Sequence, residues 1–147
     1  MRRELKRQLT KDEGVRLKPY LDCCGKYWRD CTCRKKGKLT VGIGRNLDDV
    51  GISLDEANTM VDNDIRKARM SLEKVLPGFL GLSVNRRMVL INMTFNLGLS
   101  GLLEFKKMLA ACYAGDWQRA SDEMLDSQWA FQVGRRATDL AAMMRKG

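Results

Sequence analysis

The chain has 147 residues, 44% of them hydrophobic, with a net charge of +9. That is enough apolar material for one domain with a real core, and two prolines are too few for a long linker or a disordered tail. No residue is histidine, which excludes a Ser-His-Asp triad, a Cys-His pair and any His-ligated metal within the chain.

Proton transfer near neutral pH therefore falls to carboxylates, lysines, tyrosines or water. Apolar runs such as Met88–Ile91 are far too short to span a bilayer. The opening M-R-R-E-L-K-R-Q has charges with no apolar stretch behind them, so neither a signal peptide nor a stable membrane insertion is expected. The charge is uneven: residues 1–50 hold 14 Lys/Arg against 7 Asp/Glu, the remainder 13 against 11. Such a basic first third is drawn to polyanions, whether nucleic acid, anionic lipid or an acidic polymer.

In chain order, residues 2–13 are rich in helix formers and Gly14 supplies a C-terminal cap. Glu13 falls on the last turn of this helix, where unpaired carbonyls and the negative end of the dipole disfavour an anion. Val15 to Tyr20 alternates apolar and basic residues, as a half-exposed strand does. G-K-L-T-V-G-I-G (Gly37 to Gly44) alternates again, its glycines permitting bends or close approach of a ligand. Residues 15–44 thus predict a small antiparallel sheet of two or three strands, with the segment carrying the cysteines and Trp28 as a long excursion.

Beyond residue 52 the pattern is helical. Ser53 and Glu56 form a capping box opening a helix that Pro77-Gly78 stops near Leu76. Ser83 caps a second helix reaching Leu97, apolar nearly all round from Met88 to Phe95 and so predicted to be the buried central helix. Further helices are predicted near 102–113, 117–126 and 135–145, with Trp129 to Gly134 as a loop. The fold class is α+β: one domain over 1–147, with a sheet lobe at about 14–52 and a helical lobe at about 53–147 that also takes the N-terminal helix 2–13. A long helix joins the lobes, and a cleft between them is the expected binding site.

Cys23, Cys24, Cys31 and Cys33 follow the pattern C-C-x6-C-x-C, a poor match to the two-to-four-residue spacing of paired zinc ligands. A metal and a disulfide are both weighed there; a reduced loop without metal is the expectation, and no cofactor is foreseen. Cys112 is expected to pack in the core.

Glu13, Asp22 and Thr40 stand out, and two carboxyls around a short hairpin are the parts needed to cleave a glycosidic bond. The surrounding motifs are D-E-G-x-R-L (Asp12 to Leu17), P-Y-x-D (Pro19 to Asp22), G-K-L-T-V-G-I-G-R (Gly37 to Arg45), R-x-x-L-I-N-M-x-F-N-L-G (Arg87 to Gly98) and W-x-x-Q-V-G-x-R-A (Trp129 to Ala137). In that order and over nearly the whole length they resemble the phage-type lysozymes, glycoside hydrolase family 24. The resemblance implies a lysozyme-like fold and an endolysin or muramidase acting on the β-1,4 bond between N-acetylmuramic acid and N-acetylglucosamine of peptidoglycan.

It also implies site roles. Glu13 matches the general acid; Asp22 and Thr40 match the carboxylate and hydroxyl that hold a water. Arg136 matches the arginine that pairs with the acid in relatives, and Asn92 and Asn96 fall where the helical lobe contacts the wall. Seventeen residues separate Asp22 from Thr40, a longer hairpin than is usual in the family, and the excess carries a rival carboxylate, Asp30. Arg45 stands where some members have histidine and is expected to ion-pair nearby, with Asp22 as a candidate. Trp28 is the aromatic best suited to touch a sugar, whereas Trp129 and Phe131 are expected to pack.

Peptidoglycan is the expected partner and nucleic acid is not, since no nucleic-acid motif accompanies the basic residues. The family implies a monomer made in the cytoplasm of a phage-infected host and released to the wall by a separate holin, causing lysis. The alternatives are a lytic transglycosylase on the same bond and, from another class, a basic nucleic-acid- or wall-binding module.

Overall fold

The computed structural model describes residues 1–147 and divides them into two compact units, Met1–Ala57 and Asn58–Gly147. The fold class is α+β, as expected. The division sets the N-terminal helix with the sheet rather than with the later helices, and its boundary falls within a long helix.

In the first unit, α1 (Arg2–Glu13) ends at Gly14, whose φ of 71° lets its N–H return to the Thr10 carbonyl at 3.0 Å. Three antiparallel strands follow, β1 (Arg16–Leu21), β2 (Leu39–Gly42) and β3 (Arg45–Asn46), in the order β1-β2-β3. Tyr20 faces Thr40 and Leu21 faces Leu39, while the register slips between Arg16 and Tyr20. Pro19 lies in that irregular stretch: it has no N–H for the ladder, so it is tolerated because β1 is an edge strand. The alternation of Val15 and Leu17 does not translate into burial, for they are 55% and 87% exposed.

Only Leu21 and Thr40 are buried in this unit. Its order comes from polar contacts instead. Lys38 pairs with Asp49 at 2.7 Å, and Leu39 donates its N–H to Asp48 Oδ2 at 2.9 Å. Asn46 exchanges hydrogen bonds with Asp49 at 2.9 and 3.0 Å. The segment after β3 is thereby clamped across the start of β2.

Ser53 and Glu56 form the expected box at the head of α2 (Leu54–Val75), with bonds of 2.8 and 3.2 Å. Gly78, at φ 81°, turns the chain after Pro77. Ser83 caps α3 (Val84–Leu103) by accepting from the Arg86 N–H, and Gly98, at φ 75°, breaks its helical run. α4 (Lys106–Ala114) leaves α3 at 99°. α5 (Trp117–Leu125) is capped by Asp116, and α7 (Arg135–Lys146) closes the chain.

Two stretches depart from expectation. α3 resumes beyond the Gly98 break and runs to Leu103 instead of ending at Leu97, so the helix expected near 102–113 begins only at Lys106. The stretch Trp129 to Gly134, predicted as a loop, is largely taken up by a short helix, α6 (Gln128–Val133). Ser127 accepts from the Ala130 N–H at 3.1 Å and so supplies the cap. The six-residue span is too short for apolar periodicity to reveal it.

The core lies in the second unit, where α5 packs on α4 and α7, and α3 on α7. Leu72, Phe79, Val89, Leu90 and Leu102 are 2% exposed or less, as are Met93, Met108, Met124 and Met144. Methionine is unbranched and fills irregular gaps between helices meeting at different angles. Full burial of such side chains is worth about 1.5–3 kcal/mol each. α3 is central but not apolar-buried all round, since Met88 and Phe95 are each 50% exposed. Arg86 ties the C-terminus down: its guanidinium stacks over Trp117 at 3.8 Å and donates to the Met144 carbonyl at 3.0 Å. No single helix is long and apolar enough to cross a membrane.

Candidate active site

Lys38 links the second carboxylate to the hydroxyl. Its N–H donates to Asp22 Oδ1 at 2.8 Å, and its carbonyl accepts from both the Asp22 N–H (3.1 Å) and Thr40 Oγ1 (3.2 Å). The pairing explains this. Tyr20 opposes Thr40, so Asp22, two residues on, opposes Lys38 and shares a sheet face with Thr40 as its diagonal neighbour. One oxygen of Asp22 is anchored in this way and the other carries no protein bond. Thr40 is 5% exposed and uses its proton internally, which leaves its oxygen able to accept from a water.

Gly37 makes the close approach possible. A Cβ built there would sit 1.9 Å from Asp22 Oδ1 and 2.7 Å from the Cys23 nitrogen. Asp30 is on the 3₁₀ turn Trp28–Asp30, where its N–H donates to the Tyr27 carbonyl, and its carboxylate makes no bond to Lys38 or Thr40. Asp22 is thus the carboxylate tied to Thr40.

Glu13, at the end of α1, reaches the turn between β2 and β3. Gly44 there has φ 69°, and a Cβ on it would meet Glu13 Oε2 at 3.1 Å. The last glycine of T-V-G-I-G is needed twice, for its backbone conformation and for the space the Glu13 carboxyl occupies. Glu13 itself is exposed.

Arg45 makes the expected ion pair, with a partner other than the candidate. Its guanidinium pairs with Glu56, not Asp22. Glu56 is held below its ordinary value of 4.5, chiefly because the Ser53 N–H and hydroxyl donate to it, with Arg45 adding to the effect. The capping box at the start of α2 thus recruits the arginine that follows the glycine turn.

In the second unit, Arg136 donates from Nε (3.0 Å) and Nη2 (2.6 Å) to Asn92 Oδ1. The two stand at the polar edge of a hollow of about 450 Å³ whose apolar wall includes Val61, Met88, Phe95 and Leu140. Asn96 Oδ1 accepts from Trp129 Nε1 at 2.8 Å. Both asparagines therefore spend their acceptor oxygens inside the protein and keep amide donors for a ligand. Trp129 is 4% exposed and meets Phe105 edge-on at 6.0 Å, so it packs, as expected. Phe131 does not: it is 90% exposed, on the outer side of the unforeseen helix α6.

Trp28 is 44% exposed, with Arg29 and Lys36 over its ring at 5.0 and 5.9 Å. The cysteines flanking it carry free thiols that converge. Within that group a backbone N–H from Cys33 favours the thiolate of Cys31, while the neighbouring sulfurs push Cys33 up to about 12. Cys112 packs against the helical core, and burial raises its thiol to about 11. Sequence spacing missed the convergence, although the density of four cysteines in eleven residues was its visible trace.

A glutamate at a helix end set against a glycine turn, and in the same unit a carboxylate and hydroxyl anchored on one residue, Lys38, supply the two carboxyl groups that glycoside hydrolases use. Residues 10–146 match the phage lysozyme family. The chain is 31% identical to the pre-baseplate central spike protein Gp5 of Enterobacteria phage T4, over 95% of this chain but only 27% of that protein's length. It is 27% and 26% identical to the probable T4-type lysozymes 2 and 1 of Dictyostelium discoideum, over 97% of this chain and 94% of each. The chain belongs to the phage lysozyme family, and its α+β architecture is the lysozyme-like one.

Proposed function

We propose that the protein is a muramidase that hydrolyses the β-1,4 bond between N-acetylmuramic acid and N-acetylglucosamine in peptidoglycan, with inversion at the anomeric carbon. The observation that carries this reading is the common anchoring of Asp22 and Thr40 on Lys38, with one carboxylate oxygen and one hydroxyl lone pair turned to the task of holding a water. Protonated Glu13 donates to the leaving glycosidic oxygen. As that bond breaks, positive charge develops on the sugar carbon; the water held by Asp22 and Thr40 attacks from the opposite face, and the carboxylate stabilises the charge. The basic first unit favours approach to an anionic wall, so activity should fall as salt rises.

The biological setting in this proposal is lysis of an infected bacterium: synthesis in the host cytoplasm, release through a separate holin, and action on the wall as a monomer. Family membership and the similarity to T4-type lysozymes support the chemistry.

Product analysis on purified peptidoglycan tests it. Hydrolysis adds one water to each cleaved bond, whereas a lytic transglycosylase, which needs no activated water, leaves anhydro-muropeptides lighter by that water. Mass spectrometry separates them, and NMR of the fresh product reads the anomer. Anhydro products or retained configuration would refute water attack. Asp22→Asn should abolish most of the lytic rate while Asp30→Asn leaves it near the parent; the reverse result would move the second carboxylate into the excursion.

A further inference from the structure

The excursion between β1 and β2 holds a cluster that the proposed hydrolysis does not use. The Sγ atoms of Cys23, Cys24, Cys31 and Cys33 all lie within 4.8 Å of one another. Cys23 is 3.7 Å from Cys24 and 3.8 Å from Cys31. A tetrahedral ion with metal–sulfur bonds of about 2.3 Å requires sulfur–sulfur edges of about 3.8 Å. Two of the six edges already have that length, and the remaining four are no longer than 4.8 Å.

We propose that these four cysteines form a structural zinc site that staples the excursion beside Asp22. Soft thiolate ligands in a tetrahedral set select zinc or iron among the divalent first-row ions, and a closed four-sulfur shell leaves no open position for catalysis. On binding, the four thiols release their protons to solvent and Zn²⁺ takes the four thiolates, giving a centre of net charge −2. The surrounding sequence matches that charge. Residues 23–39 contain Lys26, Arg29, Arg34, Lys35, Lys36 and Lys38 against a single acid, Asp30. Without an anion among them, that many cations in a short segment with no buried residue would repel one another.

The cluster also has a place in the fold. Cys23 follows Asp22 directly, and Gly37 packs onto both the Asp22 carboxylate and the Cys23 nitrogen. With so little apolar burial in the first unit, a metal is the means by which a small polar fold orders a long loop. The unusual spacing is no obstacle. The C-C pair opens the excursion and the C-x-C pair lies near its middle, with the 3₁₀ turn Trp28–Asp30 folding the chain back between them.

The chain contains no histidine, so zinc retained by untagged protein reports on thiolate ligation. Full-length protein purified under reducing conditions is expected to carry one zinc per chain by elemental analysis. That zinc should be released when a mercurial reagent titrates the thiols. Replacing zinc with Co²⁺ should give the intense visible bands and thiolate charge transfer of a tetrahedral Co–S₄ centre. Cys33→Ser should lose the metal, and Cys112→Ser should keep it. If Cys33→Ser does not fold, native mass spectrometry of the parent decides, since it reads the bound metal directly. Trypsin should spare the basic loop in the zinc form and cut it after chelation. Three results would overturn the proposal: a parent chain with no metal and five free thiols, a mass four hydrogens lighter from two disulfides, or iron in place of zinc.

Discussion

The two units are built on opposite principles. Met1–Ala57 buries one apolar residue, Leu21, and is ordered by ion pairs, capping bonds and the convergence of four sulfurs. Asn58–Gly147 holds a continuous apolar core in which four methionines, Phe79 and several leucines are sealed from water. The unit with little core carries Glu13, Asp22 and Thr40. A carboxylate that must meet a sugar and a water cannot be sealed in hydrocarbon, so its scaffold has to be polar and close to the surface. On the proposed reading, chemistry and stability are therefore assigned to different parts of the chain.

The sharpest way to break that contrast is to remove the acid. Glu13→Gln is isosteric and exposed, so lytic rate on a wall suspension should drop by roughly 10²–10⁴-fold or more while the melting curve stays in place. Near-normal clearing by this variant would take Glu13 out of the mechanism. Phe79→Ala is the mirror image. It empties a buried site and should cost about 3–5 kcal/mol in denaturant unfolding, while Leu17→Ala, in the first unit, should fall within about 0.5 kcal/mol of the parent.

Gly44→Ala joins the two kinds of effect. A residue at φ 69° is strained by about 1 kcal/mol or more, and its methyl would press on the Glu13 carboxyl. Activity should fall further than stability does; an unchanged kcat would show that Glu13 does not depend on this turn. Ser121 is fully buried with its hydroxyl unpartnered. Ser121→Ala should therefore be neutral or stabilising by roughly 1 kcal/mol, where most core substitutions destabilise.

The smallest effect concerns pH. Glu56 and Asp49 are held below their ordinary values of 4.5 and 3.8, Asp49 mainly by its bond from Lys38, and Lys38 is raised above 10.5 by Asp49. The acids' contributions are complete above those ordinary values and fade as pH falls through the lowered ones. That of Lys38 is complete below 10.5 and fades as pH rises through its raised one. Amide exchange in residues 38–57 should quicken outside that window before exchange in α3 and α7 does. Simultaneous loosening of both units would contradict the contrast.

Much of this was legible from residue order. The capping box at Ser53, the Ser83 cap, the stop at Pro77-Gly78 and the Gly14 terminus all act within three or four residues, so local order is sufficient to place them. Glu13, Asp22 and Thr40 were singled out by motifs that resemble those of the phage-type lysozymes, whereas the placing of Asp22 and Thr40 on one face needed the pairing of Leu21 with Leu39 across the excursion. The short helix Gln128–Val133 was not, because six residues carry too little periodicity. Nor was the exposure of Phe131, which depends on which way that helix turns its face.

The sequence by itself determined the α+β class, the caps at Ser53 and Ser83, the stop at Pro77-Gly78 and, in a chain without imidazole, the candidate acid, carboxylate and hydroxyl. Only the tertiary structure decided that Arg45 takes Glu56, that Lys38 joins Asp22 to Thr40, and that four ill-spaced cysteines meet. Caps and alternation act between neighbours along the chain. Ion pairs and metal shells depend on distances between segments, and a seventeen-residue excursion leaves those free until the fold sets them.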